Sequence, residues 1–249
     1  MDNLIDKIKE FLLNLFFPKF CLGCQKEGIY LCEDCRAILD IAEFDYCLCD
    51  SKPVQPALIF KGSPRGKCPR CDDKKLSGLL SALPYKEKHL TKKLIYQFKY
   101  QPYLKDLAKT LASILVEHFV ISGKNDEEFW ENGFLVPVPL DKKKLKIRGY
   151  NQSEELAKEL SKILKLPLIS DNLIKIKSTK SQMELPKRER EKNLENAFVI
   201  KNPAELAGKK IFLVDDVYTS GYTMQECARS LRAAGAKEVW GICLAREEF

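Results

Sequence analysis

The sequence predicts an α/β protein with a mostly parallel sheet, preceded by a small cysteine-rich domain. Eight of the ten cysteines lie between Cys21 and Cys71, and from Leu79 onward short apolar strands alternate with amphipathic helices. This alternation is typical of sheets whose helices connect parallel strands. We therefore expect an N-terminal amphipathic helix, a zinc-binding domain and an α/β domain, with bounds at 1–20, 21–75 and 76–249.

Composition restricts the class of protein. The chain has 249 residues, 45% of them apolar, which is enough to bury a core. Lys and Arg number 42 against 35 acidic residues, a net charge of +7 that suits an anionic ligand and permits nucleic acid without requiring it. No apolar run approaches the roughly 20 residues of a membrane span. Asp2 and Asp6 stand where a signal peptide would be basic, so we expect a cytoplasmic protein. Its first helix is expected to pack on the protein or on a partner, with a membrane-surface helix as the alternative.

The first four cysteines form two Cys-x-x-Cys pairs, Cys21/Cys24 and Cys32/Cys35, separated by a short spacer. Each pair can turn two thiolates toward one point, and two such pairs complete a tetrahedral zinc site. Disulfides and unligated thiols are the alternatives, but thiols stay reduced in the expected compartment. A complete ligand set leaves no open position, so this zinc is expected to be structural.

The next four cysteines form a second candidate zinc set. Cys47 and Cys49 are a tighter Cys-x-Cys pair, and Cys68 and Cys71 are a regular one. Which pairs share a metal cannot be deduced from the spacing, so one or two zinc ions are expected. Cys227 and Cys243 lie in apolar patterns and are expected in the core.

The α/β part is predicted from its hydrophobic periodicity. A polar, charged stretch at 178–195 interrupts it and should bury little. The expected elements are, in order, a strand at 79–85, helices at 87–98 and 104–120, a strand and Pro-stiffened loop at 134–140, a helix at 151–164, a strand at 210–214, a helix at 223–234 and a strand at 239–245.

One of these junctions carries a chemical signature. The apolar strand at 210–214 runs into Asp215 and Asp216, then into a short loop of small hydroxylated residues and a helix. A helix N-terminus offers free N–H groups and partial positive charge to a phosphate, and Gly221 allows close backbone approach. Two carboxylates would repel phosphate, so they should bind ribose hydroxyls or a magnesium ion instead. The expected loop donors are Thr219, Ser220, Gly221, Tyr222 and Thr223.

These residues resemble the motif that binds phosphoribosyl pyrophosphate (PRPP) in type I phosphoribosyltransferases. The resemblance implies that Asp215 and Asp216 are the catalytic acid pair on the ribose hydroxyls, and that the loop after them holds the 5′-phosphate. Tyr222 departs from the small residue usual there, so its ring must point away from the phosphate. An ordinary strand–turn–helix with solvent-exposed acids is the alternative.

Further segments are similar to the ComF family, competence-associated proteins with a zinc-binding N-terminus and a phosphoribosyltransferase-like body. They include Val136-Pro137-Val138-Pro139-Leu140, Arg148-Gly149-Tyr150-Asn151-Gln152-Ser153, Gln182 and the stretch 188–198. The likeness runs in order over nearly the whole chain. Tyr150 replaces a commoner phenylalanine, and the Cys47/Cys49 spacing departs from the usual Cys-x-x-Cys.

The resemblance implies a type I phosphoribosyltransferase-like fold and a PRPP site. Pyrophosphate would face the loop 137–140, and a basic loop at 178–192 would close over the reacting centre. Magnesium and basic groups would stabilise the departing pyrophosphate. No residue identifies the acceptor, so a sensor of PRPP without turnover stays an alternative. The expected PRPP-binding residues are Val138, Pro139, Arg148, Gln182, Asp215, Asp216, Thr219, Ser220, Gly221, Tyr222 and Thr223.

A different class of function stays open, the handling of single-stranded DNA together with DNA-uptake proteins. The ComF resemblance implies a role in natural transformation, and lysines cluster before Arg148. A solvated surface is the alternative for such a run. The candidate basic residues are Lys142, Lys143, Lys144, Lys146, Arg148, Lys175, Lys177 and Lys180. His89 and His118 lie on predicted helices away from the motifs and are expected to pack or face solvent.

Overall fold

The computed structural model describes residues 18–44, 47–48, 71, 74–85, 90–177 and 193–247. The N-terminal amphipathic helix, Cys49, Cys68, His89, Gln182 and the basic loop 178–192 lie outside the described residues. The domain bounds given above remain predictions.

The predicted elements all occur in the expected order, with ends shifted by a few residues, and the structure adds further, shorter elements. The helices are α1 (Glu33–Ala37), α2 (Leu90–Lys99), α3 (Leu107–Ile121), α4 (Glu127–Trp130), α5 (Lys142–Arg148), α6 (Gln152–Leu164) and α7 (Tyr222–Ala233). The strands are β1 (Gly78–Tyr85), β2 (Gly133–Pro137), β3 (Leu173–Lys175), β4 (Phe198–Ile200), β5 (Lys210–Tyr218) and β6 (Glu238–Glu247).

Four strands form one parallel sheet in the order β1-β6-β5-β2, which confirms the predicted α/β fold. A parallel bridge between Leu135 and Leu168 extends the sheet beyond β2. The separate antiparallel pair β3–β4 was not predicted from the sequence. Its two strands flank the segment 178–192.

Helices cover both faces of the sheet because the side chains of its strands alternate. On β5, Phe212 and Val214 pack on the face covered by α2, α3 and α6. Ile211 and Leu213 pack on the opposite face, with α7. All four are fully buried. Such two-sided burial explains why β5 reads as a continuous apolar run.

The first cysteine pairs belong to the same core as the sheet. Cys21, Cys32 and Cys35 are buried against residues of α2 and α3. Arg36 on α1 donates to Glu117 on α3 at 2.6 and 2.8 Å. His118, fully buried, places Nδ1 2.6 Å from the carbonyl oxygen of Ala42. This contact confirms His118 as a packing residue.

The lysine-rich segment after β2 is a helix, α5, that the sequence analysis did not predict. Asp141 caps it by accepting from the backbone N–H groups of Lys143 and Lys144, and Gly149 ends it at φ 82°. All four lysines of α5 are exposed, and Arg148 at its end is half-buried. Across the described residues, no helix is both long and apolar enough to cross a bilayer.

Candidate functional site

The acid pair lies at the carboxyl end of the sheet, where open α/β sheets bind ligands. Asp215 and Asp216 are in the last part of β5, and α7 begins four residues after β5 ends. Asp216 is buried, at 3% exposure, and Asp215 is half-buried. The predicted strand, acid pair, loop and helix are thus all present.

Residues from two other helices hold the acid pair. Lys99, the last residue of α2, places Nζ 2.9 Å from Asp216 Oδ1. Gln152 Nε2 donates to Asp216 Oδ2 at 3.3 Å, and Ser153 Oγ donates to Asp215 Oδ1 at 2.8 Å. The backbone N–H of Asp216 also donates to Asp215 Oδ1, at 2.9 Å. The ends of α2 and α6 therefore fix both carboxylates.

The surroundings of Asp215 change its acidity. Burial, and then the neighbouring charge of Asp216, raise the pKa of Asp215 to about 7, against a smaller opposing effect of Lys99 and its hydrogen-bond donors. Burial would lower the pKa of Lys99, but Asp216 and Asp215 outweigh it and raise that pKa. Lys99 therefore stays charged at neutral pH.

The loop after β5 has a defined shape. Gly221 adopts φ 76°, and a Cβ there would overlap the ring and hydroxyl of Tyr218. A side chain at this position is excluded by both strain and space. Tyr222 does not line the cleft beside the acids. It lines a neighbouring groove with Ser220, Tyr218 and Gln225.

A cleft of about 210 Å³ opens over the acid pair. Thr219 and Thr223 line one side, and Val138 and Pro139 line another. Asn151 Nδ2 holds the Val138 loop by donating to its carbonyl oxygen at 3.0 Å. The predicted residues that the structure brings to this cleft are Val138, Pro139, Arg148, Asp215, Asp216, Thr219 and Thr223.

The rest of the cleft is mainly basic, although Asp141, which caps α5, also lines it. Lys99, Lys144, Arg148 and Lys175 line it together. Nη1 of Arg148 is buried without a hydrogen-bond partner, and its guanidinium lies 5.7 Å from the Tyr100 ring centroid. Burial, and then the charge of Lys144, lower the pKa of Lys175. Four cations in one cleft, one of them with an unused donor, suit an anion with several oxygens.

Sequence reasoning missed Lys99, Tyr100 and Ser153 as site residues. Lys99 lies at the end of an amphipathic helix whose pattern explains every residue as packing or solvent-facing, so no local signal marks it. Ser153 stood in a quoted motif but had no assigned role. Only the tertiary packing of α2 and α6 on β5 reveals both.

The first cysteine set fits a zinc ion. The four Sγ atoms of Cys21, Cys24, Cys32 and Cys35 lie within 4.8 Å of one another. Cys32 Sγ is 3.6 Å from Cys21 Sγ and 3.5 Å from Cys24 Sγ, near the roughly 3.8 Å between sulfurs of a tetrahedral zinc–thiolate site. Burial would raise the pKa of Cys21, but backbone N–H donors led by Cys32 lower it to about 6. The cluster could therefore hold a metal such as zinc.

The second cysteine set is described in part. Cys47 and Cys71, both buried, place their Sγ atoms 3.3 Å apart. Their partners Cys49 and Cys68 are outside the described residues, so a second zinc site remains a prediction. Arg246, at the end of β6, donates to the carbonyl oxygen of Cys47 at 2.5 Å and so joins this segment to the sheet.

Comparisons with known proteins define the class and then the family. Residues 151–248, which include the acid pair and its loop, match the phosphoribosyl transferase domain. The chain is 36% identical to "Competence protein F" of Haemophilus influenzae over 61% of its own length and 67% of the relative. It is 29% identical to "DNA utilization protein YhgH" of Salmonella typhi over 86% and 96% of the two chains. It is 33% identical to "Competence protein ComFC" of Bacillus subtilis over 41% and 39%.

This protein has a phosphoribosyltransferase-like domain. Its parallel sheet carries the acid pair and the following loop at its carboxyl edge. This chain belongs to the ComF family.

Proposed function

We propose that this protein binds PRPP in the cleft over Asp215 and Asp216. The loop 219–223 at the start of α7 would hold the 5′-phosphate through backbone N–H groups and the hydroxyls of Thr219 and Thr223. The acid pair would accept hydrogen bonds from the ribose hydroxyls. The observation that carries this proposal is that one cleft is lined by the acid pair, by Thr219 and Thr223 at the start of α7, and by four cationic side chains.

The basic wall supports the pyrophosphate end of the ligand. Arg148 has a buried Nη1 that lacks an acceptor, and Lys144 and Lys175 lie beside it in the cleft. Pyrophosphate would supply acceptors to all three, next to the loop of Val138 and Pro139. Magnesium would arrive with PRPP and neutralise part of the phosphate charge. Gln182, implied by the family resemblance, belongs to the same proposal.

Catalysis remains part of the proposal. If an acceptor is present, this chain's residues would position the ribose and stabilise the leaving pyrophosphate by charge, with Asp215 and Asp216 holding the sugar. Without an acceptor the same site would sense PRPP. A screen of nucleobases with PRPP and magnesium, in which pyrophosphate release is followed, distinguishes the two: release that depends on one base identifies an enzyme.

Calorimetry tests PRPP binding. Replacing both Asp215 and Asp216 by Ala should weaken PRPP affinity by about a hundredfold or more, because each hydrogen bond to a carboxylate is worth about 1.5–3 kcal/mol and about 1.4 kcal/mol is a factor of ten. Asp171→Ala, an exposed acid off the cleft, is the matched control and should bind as the wild type does. Equal affinity in the double variant would contradict the assignment.

A second candidate function is weak, sequence-independent binding of single-stranded DNA, in the cytoplasm and beside DNA-uptake proteins. The relatives' names refer to competence and DNA utilization. The observation that favours it is α5, whose residues Lys142, Lys143 and Lys146 are exposed. Because Lys144 and Arg148 of the same helix line the cleft, DNA and PRPP would meet adjoining surfaces. Salt-dependent binding of a labelled oligonucleotide tests this candidate, as set out in the Discussion.

A further inference from the structure

The ammonium group of Lys99 contacts a carboxylate oxygen of the acid pair that a divalent cation would need as a ligand. Its Nζ lies 2.9 Å from Asp216 Oδ1, and its side chain is 23% exposed, so it reaches the pair from the cleft wall. From the sequence, either ribose hydroxyls or magnesium could be the ligand of Asp215 and Asp216. The contacts of Lys99 distinguish them.

Most carboxylate oxygens of Asp215 and Asp216 already accept hydrogen bonds from protein donors. Asp216 Oδ1 accepts from Lys99 and Oδ2 from Gln152, while Asp215 Oδ1 accepts from Ser153 and from the Asp216 backbone. Among the described residues, only Asp215 Oδ2 has no donor in contact. Asp215 Oδ1 already accepts twice, but each of the other three carboxylate oxygens has a lone-pair direction left, so a diol can add hydrogen bonds without displacing any donor.

A divalent cation has stricter needs. Magnesium binds carboxylate oxygens at about 2.0–2.1 Å in near-octahedral geometry. At Asp216 Oδ1 it would meet the Lys99 ammonium within a few ångströms, where two positive charges in a partly buried site repel strongly. The charge balance points the same way, because Lys99 cancels the charge of Asp216. Burial and Asp216 raise the pKa of Asp215 to about 7, so this carboxyl carries only part of its charge near neutrality.

We propose that Lys99 is a specificity-determining residue that excludes divalent cations from the acid pair and reserves Asp215 and Asp216 for the hydroxyl groups of a sugar. Lys99 also positions Asp216, since no other cationic side chain of the described residues forms an ion pair with that carboxylate. Magnesium that accompanies PRPP would then be held by phosphate oxygens. The identity of the sugar rests on the proposed function, but the exclusion of metal does not.

Manganese binding to the unliganded protein provides the test, because free Mn²⁺ is counted directly by its paramagnetic resonance signal. The zinc-loaded protein is titrated with Mn²⁺ in the absence of PRPP. In the wild-type background, Asp216→Asn should leave Mn²⁺ binding unchanged, because the acid pair should bind no Mn²⁺ while Lys99 is present. Lys99→Met, which removes the charge and keeps the length, should bind Mn²⁺ about tenfold or more tightly than the wild type. Asp216→Asn in the same background should abolish that gain.

Two controls separate charge from other effects. Lys99→Arg retains the cation and should exclude Mn²⁺ as the wild type does. Lys93→Met makes the same substitution at an exposed position of α2 and should change nothing. Circular dichroism confirms that each variant is folded, and Lys99→Gln replaces Lys99→Met if the latter does not fold.

Either of two results would overturn the proposal. One is a wild-type Mn²⁺ site that disappears in Asp216→Asn, since the pair would then bind metal despite Lys99. The other is a folded, uncharged Lys99 variant that gains no Mn²⁺ affinity. Neither result depends on PRPP. Failure of PRPP binding in calorimetry, with the Mn²⁺ pattern as expected, would refute the proposed ligand and leave the role of Lys99 standing.

Discussion

Gly221 lies directly against the aromatic side chain of Tyr218, so that a methyl group on Gly221 would overlap the Tyr218 hydroxyl. Tyr218 is the last residue of β5 and is 2% exposed, so its ring cannot move aside into solvent. The turn that aims the loop at the cleft is therefore determined by a glycine and a buried tyrosine together.

Gly221→Ala should destabilise the protein and abolish phosphate binding. The left-handed φ of 76° costs an alanine roughly 1–2 kcal/mol, and the overlap with Tyr218 adds to that. Urea denaturation measures the change in the free energy of unfolding. Gly208→Ala is the matched control, because Gly208 has φ 72° but open space around it. Equal losses in the two variants would show that Tyr218 does not restrict the loop.

Asp215 should make stability depend on pH between about 4 and 7. Its folded pKa of about 7 exceeds the ordinary value of 3.8, so the folded state binds more protons than the unfolded state across that range. This contribution to stability is fully present below pH 3.8 and is lost as pH rises toward 7.

Asp215→Asn should remove that loss and make the protein more stable than the wild type at pH 8. The amide oxygen of Asn can still accept from Ser153 Oγ, so the local hydrogen bond is kept. The measurement is the thermal stability of both proteins from pH 5 to 8. Titration of the cysteines is common to both proteins, so the difference between their stability–pH curves reports on Asp215 alone. A difference that does not vary with pH would contradict the raised pKa.

Removing one ligand of the first cysteine set should remove one metal. Cys32→Ala should lower bound zinc by about one ion per chain and destabilise the packing of α1 on α3, where Arg36 contacts Glu117. Elemental analysis gives the zinc content. Cys227→Ala, a buried core cysteine that belongs to neither set, should keep full zinc. Cys71→Ala tests for a second site, because a loss of zinc in this variant would support the second cysteine set. Wild-type zinc content in Cys32→Ala would refute the first set.

The sequence predicted the local parts of the site better than its tertiary partners. The run from Lys210 to Ala233 was predictable because an apolar strand, an acid pair, a glycine turn and an amphipathic helix are each local signals. Lys99 was not, because it comes within 2.9 Å of Asp216 only through the packing of α2 on the sheet. The helix α5 did carry signals, a capping Asp141 and a terminal Gly149, but its lysines were interpreted only as a candidate DNA surface or a solvated one, and no helix was predicted.

The last prediction concerns α5 and single-stranded DNA. Binding should rest on phosphate contacts, so the logarithm of affinity should fall with the logarithm of salt by roughly 0.7 per contacted phosphate. Lys142→Ala with Lys143→Ala removes two exposed cations outside the cleft, and should flatten that slope by up to about 1.4 and weaken all sequences equally. Fluorescence anisotropy with a labelled oligonucleotide across a salt series is the measurement.

The matched control removes two exposed lysines from the opposite edge of the sheet. Lys162 lies near the end of α6 farthest from the cleft, and Lys237 precedes β6. The Lys162→Ala, Lys237→Ala variant carries the same net charge as the α5 variant, so a difference between them reflects position and not total charge. Since Lys144 and Arg148 line the cleft from the same helix, PRPP should also weaken DNA binding by the wild type. Salt-independent binding, or identical slopes for the two variants, would remove α5 as a DNA surface and leave the cleft as the functional site.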